Sequence, residues 1–169
     1  MMRPGTSNMS KKLSDKAKPI ITDTSPLLLL LMGLYDKKAI ENFKRLSKYD
    51  SEDYDLVMQF VARRKIMVTP QVLSEVSNFA KELKPNKFSE FMVGNRATLE
   101  KIYEKYIPKT DILSSHEIIK FGFTDISIVL AAKQNNALVL TDDFPLCGVC
   151  KIGLDTMHIK EILSQKEIF

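Results

Sequence analysis

The sequence is poor in the residues on which many metal and nucleophile chemistries depend. It has two histidines, His116 and His158, and two cysteines, Cys147 and Cys150, among 169 residues. Two cysteines cannot build a disulfide framework, so a reducing compartment is the simpler expectation. Cys147-Gly148-Val149-Cys150 lacks a second pair of Cys or His ligands at zinc spacing. A redox C-x-x-C usually starts a helix after a strand, and this one is expected to precede a helix, so two ordinary thiols near the last strand are expected. A nucleophilic triad lacks a plausible histidine. There is no G-x-x-x-x-G-K-S/T and no G-x-G-x-x-G after a strand, which removes the phosphate-loop and dinucleotide-binding classes.

A long apolar run is also missing. The longest, Leu27 to Leu34, falls far short of the roughly 18 residues that a membrane span needs. Its basic lead-in gives it the look of an export signal, but Tyr35-Asp36-Lys37-Lys38 follows it in place of a small-residue cleavage site, and Asp23 and Pro26 interrupt the approach. No membrane partner and a cytoplasmic location are expected.

The net charge of +4 is unevenly placed. Arg3, Lys11, Lys12, Lys16 and Lys18 stand against Asp15 alone in residues 1–18, which leaves 20 basic and 20 acidic residues in the rest. Residues 1–18 read as a disordered basic tail, and residues 19–169 as one neutral domain. Lys37, Lys38, Lys44, Arg45 and Lys48 read first as a solvated helix face and second as a local surface for RNA.

Within the body, short apolar runs alternate with helical periodicity. Pro19 to Thr22, Ile66 to Val68, Ala137 to Leu140 and Lys151 to Leu154 are expected strands. Helices are expected after Ser25-Pro26 and Thr69-Pro70, after Thr124-Asp125 with Asn135-Asn136 closing it, and over His158 to Leu163. Ile40, Phe43, Leu46 and Tyr49 recur at helical spacing, as do Leu56, Val57, Phe60 and Val61. Residues 84–112 read as a further amphipathic helix, an insertion or arm. Strands alternating with helices predict an α/β fold whose parallel sheet is covered on both faces.

Such sheets bind ligands at the carboxyl ends of their strands. Acidic residues fall there or at helix starts: Asp23 after the first strand, Asp142 and Asp143 after Leu140, Asp125 at a helix start, and Glu75 on the first turns of the Thr69-Pro70 helix. Carboxylates that share a site repel, so some must protonate or bind a cation, and hard oxygen ligands suit Mg²⁺ or Mn²⁺. Neither histidine adjoins these acids in sequence. Taken singly, Asp23 and Asp125 also read as helix caps, Asp142 and Asp143 as turn residues, and Glu75 as a solvated helix position.

In chain order, ITDTSPLLLL, VTPQVLSEV, FGFTDISIVLAAK and LVLTDDFPL resemble the four motifs of the PIN-domain nucleases, over about residues 19–155. The resemblance implies a PIN-like three-layer sandwich with a central parallel sheet. It implies a Mg²⁺- or Mn²⁺-dependent endoribonuclease in which Asp23, Glu75, Asp125 and Asp143 hold the metal, with Asp142 replacing or assisting Asp143. Ser25 and Thr141 would orient the site by hydrogen bonds. Many small bacterial members are toxins that dimerise and are blocked by an antitoxin, so an antitoxin and a homodimer are the partners it implies beside RNA. The chain departs from those toxins in its length, its basic tail and its 84–112 stretch. The competing expectation is a PIN-fold scaffold that binds RNA or protein without catalysis. A phosphoaspartyl hydrolase would want a second aspartate two residues after Asp23, where Ser25 stands.

Overall fold

The computed structural model describes residues 18–168. The expected basic tail lies outside them except for Lys18, whose ammonium pairs with Asp155. Five strands, β1 (Ile20–Thr22), β2 (Ile66–Val68), β3 (Tyr103–Glu104), β4 (Leu138–Thr141) and β5 (Thr156–His158), form one sheet in the order β3-β2-β1-β4-β5, with every neighbouring pair parallel. The helices are α1 (Thr24–Asp36), α2 (Ala39–Asn42), α3 (Ser51–Val61), α4 (Pro70–Ala80), α5 (Pro85–Lys101), α6 (Lys109–Leu113), α7 (Ile118–Asn135), α8 (Phe144–Cys150) and α9 (Ile159–Leu163). With this strand order the right-handed rule for parallel crossovers assigns α1 to α5 to one face of the sheet and α6 to α8 to the other, giving three layers. No helix among the described residues is long and apolar enough to cross a membrane.

The leucine run is core. Leu27, Leu28, Leu29 and Leu31 are fully buried on α1, which packs against α2, α3, α4, α5 and β4. A helix surrounded on all sides can be apolar all round, which is why the run has no polar face. Each leucine so buried is worth about 2 kcal/mol relative to exposure. The tightest approach is at Gly33, where an added Cβ would lie 2.1 Å from the buried Tyr54 ring. Gly33→Ala is therefore expected to displace that ring and lower stability by about 2 kcal/mol, read as a lower denaturant midpoint at unchanged slope.

Three expectations are corrected. Residues 151–154 are not a strand: Lys151, Gly153 and Leu154 donate backbone hydrogen bonds to Cys147 and Cys150 carbonyls, so they form the turn that ends α8. Ile152 is 89% exposed there, and the last strand follows at Thr156–His158. Residues 84–112 hold the expected helix only as far as Lys101. Ile102 leaves the helical conformation, β3 follows at the sheet edge, and α6 begins only at Lys109. Within it α5 belongs to the crossover from β2 to β3 and packs against α1. Asn95 donates to the Leu31 carbonyl at 3.0 Å, and the Tyr35 and Phe91 rings meet edge-on at 5.9 Å. Third, Cys147 and Cys150 lie on the helix that follows β4, rather than ahead of a helix. Both are buried, and burial pushes the Cys150 thiol up to about 12, which leaves it an unreactive core thiol.

The Ile40, Phe43, Leu46 and Tyr49 spacing gives only the one-turn α2 and a 3-10 turn at Lys44–Leu46, yet all four side chains are buried.

Candidate active site

The chain runs β1, β2, β3 outward to one side, then returns to place β4 on the other side of β1. The crevice at the carboxyl ends of β1 and β4 is thus the switch point of the sheet, where open α/β folds take ligands. Asp23 follows β1 and Asp142-Asp143 follow β4, so topology alone brings three acids to this crevice. The backbone joins them: Asp23 N donates to Leu140 O at 2.9 Å.

Asp23 is held from two sides. Its Oδ1 accepts from Thr24 N at 2.6 Å as the N-cap of α1, and its Oδ2 accepts from Thr141 Oγ1 at 2.7 Å. The cap reading and the site reading therefore describe one geometry. Burial pushes its carboxyl up to about 6, aided by Asp142 and Asp143, against the two hydrogen bonds, which favour the charged form. Thr141 Oγ1 also accepts from Asp143 N at 3.0 Å, so one hydroxyl ties β1 to the Asp142-Asp143 turn.

Glu75, which read in isolation as a solvated helix position, is clamped. Thr24 Oγ1 donates to Oε2 at 2.8 Å and Thr124 Oγ1 donates to Oε1 at 2.5 Å, from α1 and α7. A hydroxyl relay sets the two helices: Ser127 Oγ donates to Thr124 O at 2.6 Å, and its one proton being used there, Thr69 Oγ1 donates to Ser127 Oγ at 2.8 Å. Thr69 is the N-cap residue of α4, so the relay locks the start of the Glu75 helix to the first regular turn of the Asp125 helix.

That turn has its own cause. Gly122 interrupts α7 with φ 78°, a conformation that glycine adopts without steric cost, and the helix restarts behind it. Asp125 sits just after the break and, unlike a cap, has no hydrogen-bond partner among the described residues. Burial, then Asp23, Asp143 and Glu75, push its carboxyl up to about 7. Asp125 thus feels the charges of three other acids that come from separate elements. The helix ends as read, with Asn136 left-handed at φ 47°.

The paired aspartates differ. Asp142 Oδ2 accepts from Tyr49 Oη at 2.8 Å and pairs with Lys48 Nζ at 2.7 Å. Asp143 caps α8, its Oδ1 accepting from Leu146 N at 2.8 Å. Both act on Asp23, but only Asp143 is among the charges that act on Asp125. Asp143 is the exposed member of the pair and acts on both raised carboxyls, whereas Asp142 is the more buried and is tied to Tyr49 and Lys48.

Of the two hydroxyls expected here, Thr141 makes its contacts with the acids, whereas Ser25 makes no hydrogen bond among the described residues. The neighbouring Thr24 orients Asp23 and Glu75 instead. Sequence reasoning missed Thr24, Thr124, Tyr49 and Lys48. A threonine directly after Asp23 and another directly before Asp125 were visible, but they read as helix-start residues rather than carboxylate donors.

Among the described residues, no group of three or more His, Cys, Asp or Glu side chains is placed to hold a metal ion. The carboxylates are turned to the hydroxyl, amide and ammonium partners just given. The donor set nonetheless fits a hard divalent cation: oxygen donors only, mutually repelling, with one half-buried carboxyl lacking a partner.

No protein-family model matches the sequence, and no curated protein matches it. Among solved structures the chain is similar to a domain of a functionally unknown protein from Methanocaldococcus jannaschii DSM 2661, with 18% identity, coverage of 84% of this chain and 91% of that one, and a TM-score of 0.44.

Proposed function

We propose that the protein is a Mg²⁺- or Mn²⁺-dependent endoribonuclease that hydrolyses RNA phosphodiester bonds at the β1/β4 crevice, in the manner of the PIN-domain nucleases its motifs resemble. The observation that carries this reading is Asp125, a partnerless carboxyl raised to about 7 by burial and by Asp23, Asp143 and Glu75. Acids gathered at this cost from separate elements mark a functional site more often than a structural one.

Asp23, Glu75, Asp125 and Asp143 would hold the cation, with Asp142 replacing or assisting Asp143. When bound, the cation supplies positive charge to a phosphate oxygen and activates water. The chain's own contribution is orientation. Thr24 N and Thr141 Oγ1 fix the plane of the Asp23 carboxylate, and Thr24 and Thr124 fix that of Glu75. Asp125, free of such ties among the described residues, is the carboxylate able to turn to the ion without giving up a protein hydrogen bond. The same reading makes the antitoxin-regulated toxin one biological setting, to be tested by whether a neighbouring small gene suppresses growth arrest.

The test is incubation of end-labelled RNA with the purified chain. Cleavage with Mn²⁺ that stops on chelation is the expected result. RNA that stays intact in both buffers, while Mn²⁺ binds the protein, would overturn catalysis and leave the binding scaffold.

A further inference from the structure

The turn that carries Asp142 and Asp143 runs straight into an aromatic side chain that the core does not use. Phe144 is 59% exposed, yet its ring lies flat on the imidazole of His158, with centres 4.0 Å apart and planes 13° apart. His158 is 96% buried and cannot yield: its Nδ1 accepts from Lys160 N at 3.1 Å, which caps α9, and its Cα is in register with Thr141 on β4. The backing residue is thus the lateral neighbour of the threonine that holds Asp23. With Nδ1 accepting, the ring proton resides on Nε2, a buried donor with no partner among the described residues.

A lone surface phenylalanine would sample several rotamers. This one has its plane fixed from behind and is still more than half exposed. Lys160 Nζ lies over the ring, 5.0 Å from its centre, and its flexible side chain can swing aside for a base. An apolar protein partner would call for a wider apolar patch, but the immediate surroundings are charged: Asp142, Asp143 and Lys160. A flat aromatic ring with a mobile cation at it suits one nucleotide, its base on the ring and its phosphate paired with the displaced ammonium. Base–aromatic stacking tolerates any base, because every base has a π face.

We propose that Phe144, backed by His158, is a stacking platform for a nucleobase, and that with Lys160 it positions the nucleotide adjoining the scissile phosphate. The proposal rests on the nucleic-acid reading of the site. Phe144 is a positioning residue, and Lys160 assists binding without taking part in bond cleavage.

The test uses the full chain and single-stranded oligoribonucleotides carrying 2-aminopurine at one position at a time. In chelator, wild type is expected to quench the probe at one position, and Phe144→Leu to lose that quench with an unchanged unfolding midpoint. Phe144→Tyr should restore it. With Mn²⁺, Phe144→Leu should raise KM roughly tenfold and move kcat by less than about twofold. A quench that persists in Phe144→Leu would overturn the platform and leave the proposed function standing. A quench that depends on Phe144, without cleavage by any of the proteins, would support the platform and sink the catalytic reading. RNA that neither binds nor is cut would overturn both.

Discussion

Asp125→Asn is expected to lower Mn²⁺-dependent RNA cleavage by about three orders of magnitude while making the metal-free protein more stable at pH 8. The two effects share a cause. Among the described residues the Asp125 side chain makes no hydrogen bond that the amide would lose, and its charge is opposed by burial and by Asp23, Asp143 and Glu75. Removing the charge relieves that opposition in the absence of an ion. Allowing for the partial exposure of the group, the gain is about 1 kcal/mol, a rise of a few degrees in unfolding midpoint. The same substitution removes the only carboxylate of the cluster that is not already turned to a protein partner. A residue serving the fold would lose stability on substitution; one serving an ion site loses activity and gains stability. Thermal unfolding and a cleavage time course on the same preparation read both.

The second large effect is on pH. Asp23 and Asp125 have carboxyls raised from 3.8 to about 6 and about 7. A group whose folded pKa lies above its unfolded value binds more protons in the native state, so its stabilisation is complete below the unfolded value and is lost as pH rises through the folded one. Metal-free protein is therefore expected to become less stable between pH 5 and pH 8, by up to about 3 kcal/mol, or roughly 5 to 10 °C in midpoint. Asp50 has the opposite sign: the Asp53 backbone hydrogen bond, opposed by burial and aided by Lys166, holds its carboxyl low, so its contribution is lost in acid, below this window. Mn²⁺ at pH 8 should restore the lost stability, because the cation favours the same carboxylates in their charged form. A midpoint that rises from pH 5 to pH 8, or that ignores Mn²⁺, contradicts the mutual repulsion inferred for the cluster.

The parts of the fold that were legible in the sequence are those where burial wrote an unbroken signal. Ile20-Ile21, Met67-Val68 and Leu138 to Leu140 are covered on both sheet faces and read as short apolar runs. β3 was illegible because Tyr103 and Glu104 are both exposed on an edge strand, leaving no apolar pattern to find. Ile152 and Leu154 misled in the opposite way: their apolar character imitates a strand, but backbone bonds to α8 had already claimed the segment. The positions of Asp23, Asp142 and Asp143 at strand ends were readable because strand ends are visible as punctuation. Thr24, Thr124 and Tyr49 were not, since their roles depend on pairings across 51, 49 and 93 residues of chain. Ser25 was chosen over Thr24 for the same reason: adjacent hydroxyls on a helix start point in different directions, and only the packing of α4 selects one.

The central claim is that acids from four elements form one ion-holding site for phosphodiester cleavage. The most direct measurement of it is a time course of end-labelled RNA with Mn²⁺, run side by side for wild type, Asp125→Asn and Asp111→Asn, the last an exposed acid on α6 distant from the cluster in the chain. The account predicts product from wild type and Asp111→Asn at equal rates and almost none from Asp125→Asn. Equal rates from all three would contradict it.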